Sequence, residues 1–302
     1  MNTLIHPNWQ LFVKVADAGS LSGAALALAQ PISVVSRGIA QIERDLGARL
    51  FRRTGRGVVL TEFGKQVYPR VLGFIQDTEQ FADDMRSQSG VPMGDVRLGM
   101  LTFSVPKLAG PLFVQVRQRW PRVRLHLSEG SSAQLEEGLA QGRLDMATLL
   151  REEDEVHASE TPLLRTPLAL VVPTSHALAQ RQSIPFDELA TLPLVLPGAP
   201  HPLRTRLQVL ARQRQLTLTC AIEADSIRLQ HEMVAAGGGF AITAAAMAPP
   251  HAGSLALVRI VQPALSRTIV LGIAAHRPHT LATRSVADLI RSWAPDLLHK
   301  ES

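Results

Sequence analysis

From Leu11 to Leu46 the apolar residues recur at helical spacing and are interrupted twice in quick succession, at Gly19 and at Gln30-Pro31. A stretch patterned this way can only fold as short helices packed on one small core, because each stripe covers a single face and each break turns the chain. Leu11, Phe12, Val13, Val15 and Ala16 form the first stripe, closed by Gly19, the residue most common just past a helix end. Ser20 or Ser22 is placed to cap a second helix carrying Ala24, Ala25, Leu26 and Leu28, whose alanines permit close helix approach. Ser33 is placed to cap a third, in which Val35, Ile39, Ile42 and Leu46 share one face and Ser33, Ser36, Arg37 and Ala40 lie toward the other, with Gly47 as its stop. Two short helices, a tight turn and a helix with small polar residues and an arginine near its start make a helix-turn-helix pattern. Small residues let such a helix sit deep in a groove. Arginine can fork onto guanine or a phosphate, and serine hydroxyls reach phosphate or base edges. The expected contact residues here are Ser22, Ile32, Ser33, Val34, Ser36 and Arg37.

Two short strands follow, Leu50-Phe51 and Val58-Val59-Leu60, around Arg52-Arg53-Thr54-Gly55-Arg56-Gly57. This is a hairpin with a basic tip, a wing whose Arg52, Arg53 and Arg56 would meet backbone phosphate or the minor groove. The charge distribution agrees. Residues 1–76 hold nine Lys/Arg against four Asp/Glu, whereas the remaining residues hold 22 of each sign, so the whole net charge of +5 sits in the first quarter. That is the footprint of a polyanion-binding segment. Charge by itself does not separate DNA from RNA or anionic lipid, and a solvated basic face has the same composition.

The stretches Gly19-Ser20-Leu21-Ser22-Gly23-Ala24-Ala25, Val35-Ser36-Arg37-Gly38-Ile39, Glu43, Leu46-Gly47-Ala48-Arg49-Leu50-Phe51-Arg52-Arg53 and Leu60-Thr61-Glu62-Phe63-Gly64 resemble, without gaps over residues 4–64, the winged helix-turn-helix of LysR-type transcriptional regulators. One departure stands out: that family often has Gln-Pro where this chain has Ile32-Ser33, and the Gln30-Pro31 pair sits two residues early. A base read by that glutamine must be read otherwise here.

Thr61 is placed to cap a long helix to about Gln88, in which Val67, Val71, Phe74, Thr78, Phe81 and Met85 follow heptad steps. The seam either pairs with a second copy or packs on its own domain. Its flanking charges, Asp77, Glu79, Asp83, Asp84 and Arg86, suit an exposed, pairing helix. The resemblance implies dimerisation through this helix, often with further assembly to tetramers. Two recognition helices would then meet a partly palindromic operator. Residues 87–94 read as a hinge.

Beyond the hinge, strand, helix, strand, helix, strand (Val96–Leu101, a helix opened by Ser104, Val123–Leu127, a helix opened by the capping box Ser131/Gln134, Leu144–Leu150) predicts right-handed crossovers and a parallel sheet. Glu152-Glu153-Asp154-Glu155 reads as a solvated loop. A strand at Leu168–Val172 is expected to cross into a second α/β lobe, and one at Thr268–Ala274 to return. The organisation is therefore α/β behind a helix-rich N-terminal module: a winged helix-turn-helix over 1–64, a linker helix and hinge over 65–94, and an effector domain over 95–302, with lobe I about 95–167 and 268–302 and lobe II about 168–267. Val171–Ala179 and Val234–Ile242 resemble, more weakly, stretches of the same family's effector domain, which implies a fold similar to periplasmic solute-binding proteins and a small, often anionic, metabolite between the lobes.

Helix N-termini and strand C-terminal ends are where such a ligand would sit. The candidates are Thr102, Phe103, Ser104, Ser131, Ser132, Thr148, Gly198, His201, Arg204, Ser226 and Thr243, with His201 and Arg204 as cations. The plain alternatives are that the serines only cap helices, that His201 is a surface histidine and that Arg204 pairs with a nearby acid. No catalytic residue, cofactor or metal is expected: the sequence holds no G-x-S-x-G elbow, P-loop, H-E-x-x-H or strand-borne G-x-G-x-x-G, its histidines lack ligand spacing, and the single cysteine, Cys220, lies in a strand pattern. Met1–Gln10 does not read as a signal peptide, and the longest stretch without Asp, Glu, Lys or Arg, Met233–Val258, is broken by glycines and prolines, so the chain is expected in the cytoplasm and off the membrane. Expected partners are double-stranded DNA, an effector and further copies of the chain; the alternative is a cytoplasmic small-molecule-binding protein without a DNA role.

Overall fold

A computed structural model describes residues 7–55, 57–86, 90–152, 156–247, 254–275 and 279–299. Helices α1 (Trp9–Ala18), α2 (Leu21–Ala27) and α3 (Ile32–Leu46) bury Phe12, Val15, Ala24, Val35 and Ile42 together. Gly19 ends α1 at φ +61°, left-handed backbone that favours glycine. Ser20, not Ser22, caps α2, its Oγ accepting the Gly23 N–H at 3.1 Å. Ser33 does not cap α3. That helix starts at Ile32 on Pro31, whose fixed φ of −60° suits the entry and which offers no side-chain acceptor.

Strands β1 (Phe51–Thr54) and β2 (Gly57–Leu60) form the antiparallel wing. Its root is fastened to α3 by Glu43, a buried carboxylate that accepts the N–H of Leu50 at 2.8 Å and of Phe51 at 3.1 Å and pairs with Arg49 at 2.8 Å. Helix α4 (Glu62–Arg86) is capped by Thr61, whose Oγ1 accepts the Gly64 N–H at 2.9 Å, and runs through Pro69 without a break. Tyr68 on α4 donates to Asp17 at 2.5 Å; burial, with that carboxylate beside it, pushes the phenol up to about 12. The heptad stripe divides. Val67 and Val71 pack into the N-terminal core, so the first two positions are used within the chain, while Phe74, Phe81 and Met85 remain 46%, 65% and 51% exposed.

The effector region begins with β3 (Gly94–Leu101), α5 (Val105–Arg119), β4 (Val123–Gly130), α6 (Ser132–Ala140) and β5 (Met146–Glu152), with β3 parallel to both β4 and β5. Strand β6 (Thr161–Pro173) leads on to β7 (Ser183–Pro185), β8 (Pro193–Leu196), α7 (Pro202–Gln213), β9 (Thr219–Glu223), α8 (Ile227–Ala235), β10 (Phe240–Ala244) and β11 (Leu255–Val261). The chain then returns through β12 (Ser266–Ile273) to α9 (Leu281–His299). The strand order is β4-β3-β5-β12-β6-β10-β8-β9, with β11 on β6 and β7.

Strand β6 serves two cores. Its first half pairs with β12 and packs with Leu98, Leu112, Met146, Ile269 and Val286; its second half pairs with β10 and β11 and packs with Phe186, Leu194, Leu207 and Ile242. The strand expected from Leu168 thus starts at Thr161, its first half disguised by Pro162 and Pro167, which lack a donor for the ladder. The two crossing segments run side by side, the Leu168 N–H donating to Leu265 O at 2.8 Å. Pairing is parallel within β4-β3-β5, within β10-β8-β9 and between β11 and β7; the crossing strands β12 and β6 are antiparallel to their neighbours, so the whole is mixed. Among the described residues no single helix is long and apolar enough to cross a membrane.

Candidate nucleic-acid interface and ligand junction

At the N-terminal module the buried face of α3 is Val35, Gly38, Ile39 and Ile42. Gly38 lets α1 approach closely there, since a Cβ would lie 2.4 Å from Leu11 Cδ1 and that side chain would have to move. Fixing that face turns the other outward: Ile32, Ser33, Val34 and Arg37 are exposed and Ser36 is half-buried. The first turn carries no acid, and its free N–H groups favour an anion. Arg37 is exposed, and its Nε donates to Ser33 O at 3.3 Å along the helix. Ser22 on α2 is exposed, as are Arg52 and Arg53 on β1; Arg56 lies outside the described residues. The surface is cationic, convex at α3 and edged by a hairpin, a shape that fits a groove flanked by phosphates.

In the effector region the sequence candidates fall into two groups. Thr102, Phe103, Ser104, Ser131, Ser132 and Thr148 gather where β3, β4 and β5 end. Thr102 and Ser131 are exposed there, and Phe103 leans on the core. Three hydroxyls are committed to the backbone instead: Thr148 Oγ1 accepts the Leu101 N–H at 3.0 Å, Ser132 Oγ accepts the Leu150 N–H at 3.0 Å, and Ser104 donates to Leu101 O at 2.7 Å. Ser104 therefore does not cap α5. It is fully buried at the end of a 3-10 turn, Thr102–Ser104. The Ser131/Gln134 capping box is present on α6. The second group stands where β8 and β9 end. Gly198 N–H donates to Asp225 Oδ1 at 3.2 Å, Ser226 caps α8 by accepting the Leu229 N–H at 3.2 Å, and Arg204 binds Pro197 O at 3.0 Å and the carboxylate of Glu223. Arg204 is thus paired with an acid. His201 is half-buried: its Nδ1 is buried without a hydrogen-bond partner among the described residues, and burial, with Arg267 nearby, lowers its pKa. Thr243 belongs to neither group; it is buried in β10 opposite Ala169.

The residues that join the two groups were missed in the sequence. Glu152, read there as the start of a solvated loop, is the last residue of β5 and 4% exposed. Its Oε2 lies 2.7 Å from Arg206 Nη1 of α7 and its Oε1 2.7 Å from Arg267 Nε of β12. Arg206 also donates to Ser266 O at 2.8 Å. One carboxylate therefore ties α7, on the second core, to β5 and β12 on the first. The signal that could have found it is that Glu152 ends a continuous buried strand; residues 153–155 lie outside the described residues.

Comparison with known proteins places this architecture. The LysR substrate-binding domain matches residues 89–295, and the lysR-family bacterial regulatory helix-turn-helix matches residues 8–65. The chain belongs to the LysR family. It is accordingly a DNA-binding transcriptional regulator with an effector-binding domain. The LysR relatives it resembles include the nitrogen assimilation regulatory protein nac of Escherichia coli, 29% identical over 93% of this chain and 92% of that protein. A probable hydrogen peroxide-inducible genes activator of Mycobacterium leprae is 26% identical over 92% and 91%. Among solved structures, a full-length OxyR variant from Pseudomonas aeruginosa superposes with a TM-score of 0.68 at 21% identity, covering 98% of this chain and 94% of that one. Full-length CbnR complexed with its target DNA superposes at 0.67 and 19% identity, covering 97% and 99%. These two likenesses bear on the fold alone.

Proposed function

We propose that this LysR regulator senses a small anionic metabolite at the junction of its two effector cores and relays its binding to a dimer seated on a partly palindromic operator. The observation that carries the proposal is the Arg206–Glu152–Arg267 bridge. Guanidinium groups bind carboxylates and phosphates in the same planar geometry, so an anionic ligand competes with Glu152 for the arginines and changes what holds the cores together. Thr102, Phe103, Ser131, Gly198, His201 and Ser226 would line the ligand. Ser104, Ser132 and Thr148 would position the strand ends, Arg204 would hold the Pro197 loop, and Thr243 would act from within β10. On the N-terminal module, Ser22, Ile32, Ser33, Val34, Ser36, Arg37, Arg52, Arg53 and Arg56 would face the duplex.

The exposed Phe74, Phe81 and Met85 support self-pairing through the second half of α4, giving a dimer or a tetramer. Several relatives are named as hydrogen peroxide-inducible activators. This chain has one cysteine, Cys220, so a disulfide within the chain is not open to it. The reading is of a cytoplasmic regulator that binds rather than converts its ligand. It is tested by titrating carboxylate and phosphate metabolites into the protein alone and bound to a duplex. A ligand that shifts duplex affinity must show the same coupling when the order of addition is reversed; a panel that binds yet leaves duplex affinity unchanged removes the proposal.

A further inference from the structure

The first residue of α3 is an isoleucine that the fold does not use. Ile32 is 52% exposed, at the outer end of a helix whose buried face is complete without it. At 100° per residue Ile32 stands in line with Ser36 and beside the Ser33–Arg37 line, on the flank of the outward face. The same helix carries no acid in its first turn and an exposed Arg37, and the wing of the same module exposes Arg52 and Arg53. An apolar tip on an exposed, acid-free helix start matches one feature of a DNA groove: the thymine C5-methyl group, the one apolar feature that the base pairs present in the major groove. We infer that Ile32 reads a thymine methyl in each half-site, so that this regulator takes part of its sequence preference from apolar contact at the tip of α3.

The inference rests on the DNA-binding assignment but is separable from it. A duplex is first enriched from a randomised pool with the full-length protein and then resynthesised with deoxyuridine in place of each thymine in turn, which removes one methyl and leaves every hydrogen-bonding group. For the unsubstituted protein, one such replacement per half-site is expected to weaken binding about fourfold, the value of one methyl withdrawn from an apolar contact. Ile32→Ala, a substitution at an exposed side chain, is expected to fold normally and to bind thymine and deoxyuridine duplexes equally at that position. Equal affinity of the unsubstituted protein for all deoxyuridine duplexes, with binding still salt-dependent, overturns the inference while DNA binding stands. Unchanged discrimination in Ile32→Ala overturns it as well. Failure to enrich any duplex overturns it together with the DNA-binding assignment.

Discussion

Replacing Glu152 by Gln is the perturbation that bears most on the effector region. The substitution keeps size and shape, so no cavity forms; it removes the charge that two guanidinium groups share and turns one of the two acceptor oxygens into an N–H donor facing an arginine. The side chains of Glu152 and Arg267 are 6% and 9% exposed and that of Arg206 is 24% exposed, so neither arginine recovers full hydration when the carboxylate is lost. Removing one partner of a buried ion pair costs about 3–5 kcal/mol. The partial exposure of Arg206 places the expectation near the lower end, about 3 kcal/mol. For a region of this size that lowers the unfolding midpoint by roughly 6–12 °C. The assay is urea and thermal unfolding by tryptophan fluorescence. Trp120 and Trp293 pack against the core of β3, β5 and β12, whereas Trp9 belongs to the N-terminal core, so a Trp9→Phe background isolates the effector signal. A change within about 0.5 kcal/mol, the range of ordinary surface substitutions, refutes the claim that this carboxylate ties the two cores together.

Three further outcomes follow from the same structure. Gly64→Ala places a Cβ 2.2 Å from Leu50 O and 3.1 Å from a side-chain carbon of Leu60, so the wing must shift. The N-terminal module should lose about 1–3 kcal/mol, read by Trp9 fluorescence. Phe81→Asp should lower the sedimentation coefficient toward that of a single copy at micromolar protein while leaving monomer helicity by circular dichroism unchanged, because Phe81 is 65% exposed within its own chain. His201 and His231 both have pKa values lowered by burial, so folding opposes their protonation. Their contribution to stability is complete above the unfolded value near 6.5 and is lost as pH falls from there through the folded values. Unfolding midpoints at pH 7.5 and 5.5 should therefore differ less in the His201→Gln, His231→Gln double variant than in the unsubstituted protein.

Much of the N-terminal module was legible because its signals are local. Gly19 and Gly47 stop their helices in left-handed backbone, Thr61 caps α4, and the apolar stripes name the core residue by residue. Ser33 was misread as a cap because it is the stronger cap residue by chemistry, while Pro31 reached the same start through its fixed φ. The division of the α4 stripe was not readable, since Val71 and Phe81 look alike in sequence and differ only in what the rest of the fold brings against them. The junction was the least visible part. Glu152, Arg206 and Arg267 are separated by 54 and 61 positions along the chain, each looks like a surface charge in its own context, and only the crossing of β6 and β12 brings them together. Ser104, Ser132 and Thr148 have their hydroxyls committed to the backbone, because buried backbone groups at strand ends claim nearby hydroxyls.

The central claim, that a cationic winged module doubled by self-pairing grips duplex DNA, is tested most directly by the salt dependence of duplex binding. Arg37, Arg52 and Arg53 on each of two copies make about six phosphate neutralisations, which sets a slope of log affinity against log salt of roughly −5 and a loss of about a thousandfold between 50 and 200 mM. Arg52→Ala should reduce the slope by about two in the dimer, one contact from each copy. Tight duplex binding with no dependence on salt, or a slope untouched by Arg52→Ala, would contradict it.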